Sequence, residues 1–393
     1  MQSNHRINLL IDYPISGSTD YRGLAFPPVL WSALQDDDRF NVYSSLEKAP
    51  KHIDIVLIIS AGSHRGLRDM DLHSISLSPF VKEAYARYPI LKSVLGRTLG
   101  LKKVNYYDRL LLPHREYEKR VRYLKNKYKN AKFIHRLAGS YSNIGKNYGY
   151  DKSIKTINKL CDVTIHQSNY SRILWEEGVQ TIFGRGVLLQ PKRSLIIPNG
   201  VNTNIFSREG DTIDLPGEIR ILHVSASPNP RKGLSTVLEI ANLLKENKKF
   251  VFFLIGNQAN DPVCGSDISE FQNVVSIGPV MDREKLASYY RSVSIFLYPS
   301  IHDCSPNVIL EAMASGLPII TEDSGGNGEM IRKTTINGGV FLRKKNPVFA
   351  MQTVLENIDT LRNGALSIID NNYRMETMKE RYTALFLETL SHS

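Results

Sequence analysis

A chain of 393 residues with 23% charged side chains and only three cysteines, in no metal-type spacing, exceeds one ordinary core and excludes a disulfide-built or fibrous protein. No apolar run reaches bilayer-spanning length, the best being the strand-sized stretch 53–61, and the amino terminus lacks a signal-peptide layout, so a reducing, cytoplasmic setting is expected. The formal charge of +11 is one-sided: residues 1–200 hold 31 Lys and Arg against 17 Asp and Glu, the remainder 19 against 22. A basic field over the first half suits a membrane surface, a phosphorylated acceptor or nucleic acid alike.

In chain order, Ile7–Asp12 predicts a strand that ends at Tyr13-Pro14, followed by a loop containing Gly17 and a helix around Gly23–Leu34. Asp54–Ser60 is nearly continuous in β-branched residues, the pattern of a parallel strand buried on both faces. Residues 62–112 show no clean period. The stretch 115–129 reads as a basic amphipathic helix, with Tyr117, Val121, Leu124 and Tyr128 on one face. Lys119, Arg120, Arg122, Lys125, Lys127 and Lys129 cover much of the rest. Such a helix either lies on an anionic membrane or packs on its own domain with a solvated basic back.

Short strands at Lys132–His135 and Asp162–His166 flank a helix over Asp151–Leu160, and a further helix is expected over 170–177. Ser194–Ile197 then leads into the turn Pro198-Asn199-Gly200. Alternating strands and helices imply an α/β, doubly wound parallel sheet. In open α/β sheets ligands bind beyond the carboxyl ends of the strands, so His135 and His166, each ending a strand, are site candidates. On the strand pattern alone a structural histidine is the better reading of both.

Residues 201–218 are polar and turn-rich and read as a connection between domains. The alternation restarts with strands at Ile219–Val224, Phe250–Ile255, Val274–Ile277, Ser294–Tyr298, Leu317–Thr321 and Gly339–Leu342. The loop SASPNPRKG runs from the first of these to a helix starting near Gly233. A helix start attracts phosphate through its free amides and dipole, and Arg231 and Lys232 add charge there.

The stretch Pro299–Glu329 predicts a loop, a helix with Ser305 as N-cap and Pro306 at its first position, and a stop at Gly316. That helix is apolar almost all round except for a stripe of Asn307, Glu311 and Ser315, which must face either solvent or a cleft. The segment SGGNGE at 324–329 offers backbone amides with few side chains in the way. Three anion-friendly loops at one sheet edge make a diphosphate site, with Glu311 available to accept from hydroxyls and Asp303 as a second carboxylate.

At these residues the chain resembles glycosyltransferase family 4, the retaining, nucleotide-sugar-dependent enzymes of the GT-B fold. The segments LIIPNGVNTNIF, ILHVSASPNPRKG and PSIHDCSPNVILEAMASGLPII followed by GGNGE carry the likeness in the second half. KFIHRLAGS and CDVTIHQSNYSR carry it in the first. The resemblance implies two doubly wound Rossmann-like domains facing across a cleft: 1–205 for the acceptor and 206–372 for the nucleotide sugar. A carboxy-terminal helix within 373–393 would cross back to the first domain.

The resemblance also implies roles. Lys232, with Arg231 beside it, would hold the diphosphate, and Glu311 would accept from the ribose hydroxyls. The Asp303–Asn307 loop would face the transferred sugar, with amides near Ser305, Asn307 and Val308. His135 would lie beside that sugar, so that Lys232, His135 and Asp303 are the catalytic candidates. The Gly17 loop would close over it, and the base would stack near Ile277 and Gly278. Asp303 stands where the family carries a glutamate, a small or acidic residue often replaces Arg136, and Ser225-Ala226-Ser227 replaces an arginine that Arg231 would substitute.

The activity implied is transfer of a hexose or related sugar to a hydroxyl of a glycan or lipid-linked acceptor. It needs no cofactor and no metal, the nucleotide-diphosphate sugar being a co-substrate. Peripheral contact with the inner face of a membrane through the basic first domain is a further expectation. Nucleic acid has no motif here beyond charge. A nucleotide-sugar-binding protein of the same fold without transfer activity is the alternative.

Overall fold

The computed structural model describes residues 6–12, 26–44, 46, 48–60, 106–140, 148–179, 186–225, 230–256, 268–342 and 346–391. The chain forms two compact units, one of residues 1–19, 41–164 and 173–194, the other of 20–40, 165–172 and 195–393.

The first half builds a six-stranded sheet from β1 (Ile7–Asp12), β2 (Phe40–Tyr43), β3 (Ile55–Ile59), β4 (Lys132–Arg136), β5 (Val163–His166) and β6 (Ser194–Ile196), in the order β2-β1-β3-β4-β5-β6. β3 runs parallel to both β1 and β4, and all five of its residues are buried, as its unbroken Ile/Val/Leu run demands. β2 was not foreseen: four residues with one buried position carry no readable period. The helices among the described residues are α1 (Phe26–Gln35), α2 (Tyr106–Lys127), α3 (Tyr148–Lys159) and the single turn α4 (Asn169–Arg172).

The π-helical turn Ile173–Glu177 takes the place of an uninterrupted helix over 170–177 and buries Trp175, whose Nε1 donates to the Ala138 carbonyl at 2.8 Å. α2 extends the helix predicted over 115–129 by nine residues towards the amino terminus. Tyr117, Val121, Leu124 and Tyr128 are all buried, sharing one core with Val56, Ile58, Phe133 and Ile157. The apolar face of this helix is therefore spent on its own unit, and the membrane-lying reading of that face is overturned.

The second sheet comprises β7 (Ile219–Val224), β8 (Phe250–Ile255), β9 (Val274–Gly278), β10 (Ile295–Tyr298), β11 (Ile319–Thr321) and β14 (Gly339–Phe341), ordered β14-β11-β10-β7-β8-β9. Every pairing in it is parallel. Its helices are α5 (Leu234–Leu243), α6 (Arg283–Arg291), α7 (Asn307–Ala314), α8 (Asn327–Ile331), α9 (Pro347–Glu356), α10 (Ile358–Asn372) and α11 (Met375–Ser391). A small antiparallel hairpin, β12 (Arg332–Lys333) with β13 (Ile336–Asn337), precedes β14.

One face of the sheet sends Leu222, Phe253 and Phe296 into a core with Ile309 and Met313 of α7; the other packs Phe252, Leu254 and Leu297 on α5 and α9. α11 lies against α1: Phe386 meets Phe40 edge to face at 5.8 Å between ring centres, and Lys379 pairs with Asp37 at 3.3 Å.

α7 differs from expectation at its start. Pro306, in extended conformation, is the N-cap, and no side chain caps the helix; the Ser305 carbonyl instead accepts from Asn199 at 3.3 Å. Its end is as read. Gly316 takes φ 76°, its amide bonds Met313 and that of Leu317 bonds Ala312, the paired closure that a left-handed glycine allows.

Candidate active site

At the carboxyl end of β7 the chain makes a 3₁₀ turn over Pro230–Lys232 and enters α5 through Gly233. Gly233 has φ 79°, and a Cβ there would stand 2.2 Å from the Pro299 carbonyl oxygen. Only glycine lets this loop close on the segment after β10. The Ile301 amide completes that closure by donating to the Arg231 carbonyl at 2.8 Å.

The consequence is an ion pair: the Lys232 ammonium donates to Asp303, whose Oδ2 also receives the Tyr298 hydroxyl at 3.3 Å. Lys232 Nζ also sits 5.5 Å from the centre of the Tyr298 ring. Burial works against the charged forms of both partners, but mutual attraction prevails. It raises the Lys232 amine above its ordinary range and lowers the Asp303 carboxyl.

His223 stacks on the far side of this group, 5.7 Å from Tyr298, with Nδ1 3.0 Å from the Leu297 carbonyl and therefore carrying the proton. Its Nε2 is buried and without a hydrogen-bond partner. Burial, with the Lys232 charge adding to it, lowers its pKa to about 4, so the ring is neutral at physiological pH.

The sign of the Asp303 shift sets a pH dependence. A carboxylate held below its unfolded value contributes stability that is complete above about pH 4 and is lost as pH falls through the folded value. Asp303→Asn is expected to lower the thermal midpoint at pH 7 and to flatten its fall below about pH 4, measured by calorimetry. An unchanged acid limb would show that the pair carries none of it.

The glycine loop lies on the same segment. Gly325 has φ 67°, and a Cβ there would stand 2.3 Å from the Asp303 carbonyl; the Gly326 amide donates to that same oxygen at 2.7 Å. Gly325→Ala is therefore expected to cost ~1–3 kcal/mol from the left-handed backbone alone, with the steric clash in addition. Thermal unfolding reads it, and a midpoint equal to wild type would refute the close approach.

Not all of SGGNGE is open to an anion. The Gly326 amide is engaged, and Asn327 Nδ2 donates to Ser300 O at 2.9 Å and Thr321 Oγ1 at 3.0 Å. The Glu329 carboxylate accepts from the amides of Asn169 at 2.8 Å and Tyr170 at 2.5 Å, the free donors at the start of α4.

Glu311 is 2% exposed on α7. It pairs with Arg283 Nη2 at 3.1 Å and accepts the Tyr290 hydroxyl at 3.2 Å, while Arg283 lies over the Phe206 ring at 4.6 Å. Burial raises its pKa against the pull of Arg283 and Tyr290. The stripe that contained it is filled by protein partners along its length. Asn307 Oδ1 accepts from Asn199 at 2.8 Å, and the Ser315 hydroxyl turns back onto the Glu311 carbonyl at 2.9 Å. Val308 is 9% exposed on the same helix.

At the end of β9, Ile277 is half-buried, and Gly278 has φ 80° with no atom within 4 Å of where a Cβ would stand, so space is open there.

In the first sheet His135 is fully buried, and its ring meets Ser60 Oγ at 2.7 Å and Asn158 Nδ2 at 3.1 Å. Both ring nitrogens are thus bonded within its own unit. His166 is buried as well. Gly17 lies outside the described residues.

The structure thus gathers Arg231, Lys232, Asp303 and the glycine loop at one edge, with Ser305, Asn307 and Glu311 on the segment that follows. Tyr298, His223, Arg283, Tyr290 and Asn199 are partners that the sequence reading missed. No local motif marks them, because each reaches its partner across strands or helices. Among the described residues no group of three or more His, Cys, Asp and Glu is placed to hold a metal, and no helix is long and apolar enough to cross a membrane.

Solved structures share this architecture over nearly the whole chain. Sucrose-phosphate synthase from Thermosynechococcus elongatus matches with TM-score 0.63 at 15% identity, covering 99% of this chain and 100% of that one. Anabaena Alr3699/HepE, solved in complex with UDP and glucose, matches with TM-score 0.56 at 16% identity, over 98% and 100%. At such identities the likeness defines the fold, which is the two-domain α/β architecture of the GT-B glycosyltransferases.

Residues 218–358 match the family described as glycosyl transferases group 1. Among curated relatives, EpsF of Bacillus subtilis is 27% identical over 160 residues, 38% of this chain and 41% of that protein. The MMP alpha-(1->4)-mannosyltransferase of Mycolicibacterium hassiacum is 25% identical over 146 residues, 36% of this chain and 34% of that one. The N,N'-diacetylbacillosaminyl-diphospho-undecaprenol alpha-1,3-N-acetylgalactosaminyltransferase of Campylobacter jejuni is 30% identical over 115 residues, 29% of each. The matches span less than half the length of these relatives.

Proposed function

We propose that the chain transfers a sugar from a nucleotide-diphosphate donor to a hydroxyl of a glycan or lipid-linked acceptor, with retention at the anomeric carbon. The observation that carries this is Lys232, an ammonium held at the head of α5 by Asp303 and Tyr298 beside a glycine-built loop. The group 1 match and relatives whose names are those of sugar transferases support it. In this reading residues 206–372 hold the donor and residues 1–205 the acceptor.

The bond broken is that between the anomeric carbon and the diphosphate oxygen. The acceptor oxygen forms the new bond on the same face, and its proton passes to the departing phosphate oxygen, so no protein nucleophile enters. Charge builds on the leaving diphosphate, and a fixed ammonium with helix-start amides stabilises it there. For that the Lys232 ammonium must exchange Asp303 for phosphate. Asp303 then holds the cation in place before the donor arrives and is freed to face sugar hydroxyls afterwards. Glu311 accepts from the ribose, and the open space at Gly278 receives the base. The lysine and amides supply the positive charge, so the reading calls for no metal ion.

Thermal shift against UDP-, GDP- and ADP-sugars tests it, with Glu311→Ala as control. Stabilisation by one of them, lost in the variant, is expected; no shift with any nucleotide sugar would sink the reading. The basic back of α2 is proposed to meet an anionic membrane surface by charge alone, since its apolar face is buried. Flotation with anionic vesicles is expected at low salt and to disappear at about 0.5 M salt; absence of binding at low salt would refute it.

A further inference from the structure

At the β14 edge of the second sheet lies a bowl of about 720 Å³, walled by the β12–β13 hairpin, β14, α9 and α10. Neither Lys232, Asp303 nor Glu311 lines it. Its volume falls in the ~300–1,000 Å³ range of small-ligand pockets.

Its lining has a distinct chemistry. No Asp, Glu or Lys contributes, although 23% of the chain is charged. The single charge, Arg332, is laid over the Phe341 ring at 4.3 Å. α10 keeps its ions out of the bowl: Asp359 and Arg362 pair with each other at 3.7 Å, and neither lines it. What faces in from the rim is neutral and hydrogen-bonding, namely the amides of Asn337 and Asn363 and the hydroxyls of Thr335 and Thr360, all on exposed residues. Two aromatic rings join them, half-buried Phe341 and Phe349, the latter 40% exposed. Ala350 and Leu361 make an apolar floor.

An anionic ligand would meet a single opposite charge, a guanidinium already stacked on a ring. A purely apolar partner would bury four polar groups without supplying partners for them, which is costly. A ligand with hydroxyls around its edge and apolar C–H faces satisfies both halves of the lining. Its hydroxyls reach the amides and threonines, and a ring face lies on phenylalanine.

We propose that this bowl binds a neutral oligosaccharide, separately from the donor site. The inference rests on the reading of the chain as a glycan-directed transferase. A second hold on a growing or finished glycan raises its effective concentration at the reacting end.

Saturation-transfer NMR on the full chain, with maltopentaose, cellopentaose and mannopentaose as probes, tests it. At least one is expected to bind and to remain bound when the nucleotide site is saturated with the nucleotide sugar that gives the thermal shift. The double variant Phe349→Ala/Asn363→Ala, two exposed positions, is expected to weaken it by about tenfold or more and to leave the nucleotide-sugar shift unchanged.

Failure of all three probes, displacement by the nucleotide sugar, or binding indifferent to the double variant would overturn the proposal. Capture of an extended peptide in the bowl in place of the sugars would overturn it too, assigning the β14 edge to strand addition. Oligosaccharide binding without any nucleotide-sugar shift would instead sink the transferase reading, so the two failures are distinguishable.

Discussion

Lys232→Ala is expected to lower kcat for sugar transfer by ~10²–10³-fold while changing donor affinity much less, since it removes charge stabilisation that grows as the diphosphate leaves. The argument starts from where the ammonium sits. It is held by Asp303 and Tyr298 at the head of α5, in a loop that Gly233 presses against Pro299. Because Asp303 satisfies it before any donor arrives, binding gains only the difference between a carboxylate and a phosphate partner. The full attraction is felt once the leaving group carries its charge, so the loss falls on turnover.

Removing the lysine also takes from Asp303 its ion-pair partner, leaving the Tyr298 hydroxyl and the attraction of Arg231, and a lower thermal midpoint accompanies the kinetic loss. Lys232→Arg keeps the charge but replaces a compact ammonium by a planar fork, and is expected to keep the midpoint better than it keeps kcat. Steady-state kinetics beside a donor titration separate the terms. Equal loss of kcat and affinity in the alanine variant would make Lys232 a binding residue only.

What could be read from the chain divides along physical lines. β3 and β8 were legible because a strand buried on both faces is apolar throughout, and such runs stand out. The end of α7 was legible because Gly316 is the residue a left-handed closure needs. Its start was not: Ser305 has the chemistry of a cap, but Asn199 claims its carbonyl and Pro306 takes the position. Lys232, Asp303 and the glycines were found through local loop chemistry. Their gathering at one sheet edge was read as well, but the contact of Lys232 with Asp303 and Tyr298 escaped because it depends on β7 and β10 ending side by side, a property of the sheet order rather than of any segment.

For the same reason Glu329 was read as part of an anion loop, whereas it caps amides 159 and 160 residues away. His135 shows the limit of position alone. A strand end at a sheet edge is where ligands bind, but nothing in the local sequence shows that Ser60 and Asn158, on neighbouring elements, bond both ring nitrogens. The amphipathic pattern of α2 is common to a membrane-lying and a core-packed helix, and only the presence of Phe133 and Ile157 opposite it separates them.

Glu311→Ala is the second large effect, and it should appear in two measurements. In the donor-free protein the carboxylate is 2% exposed and is spent on Arg283 and Tyr290. Its removal leaves the buried Tyr290 hydroxyl with only the Val308 carbonyl, 3.4 Å away. Arg283 keeps its place over Phe206 and is 27% exposed, so solvent relieves part of its loss. A cost of ~1–3 kcal/mol in stability follows, in the range for one unsatisfied buried polar group.

The donor effect comes on top of this. A carboxylate has acceptor sites for more than the two donors it now serves, and ribose hydroxyls would take the remainder. Hydrogen bonds to a charged group are worth ~1.5–3 kcal/mol, so donor affinity should fall about tenfold to a hundredfold. Glu311→Gln separates the roles, because an amide still accepts from Tyr290 and from a hydroxyl but no longer neutralises Arg283. It should recover most of the donor affinity while remaining less stable than wild type. Donor titration by calorimetry, run well below the thermal midpoint measured for each variant, gives the first quantity without the second. An alanine variant that binds donor as tightly as wild type would confine Glu311 to holding α6 against α7.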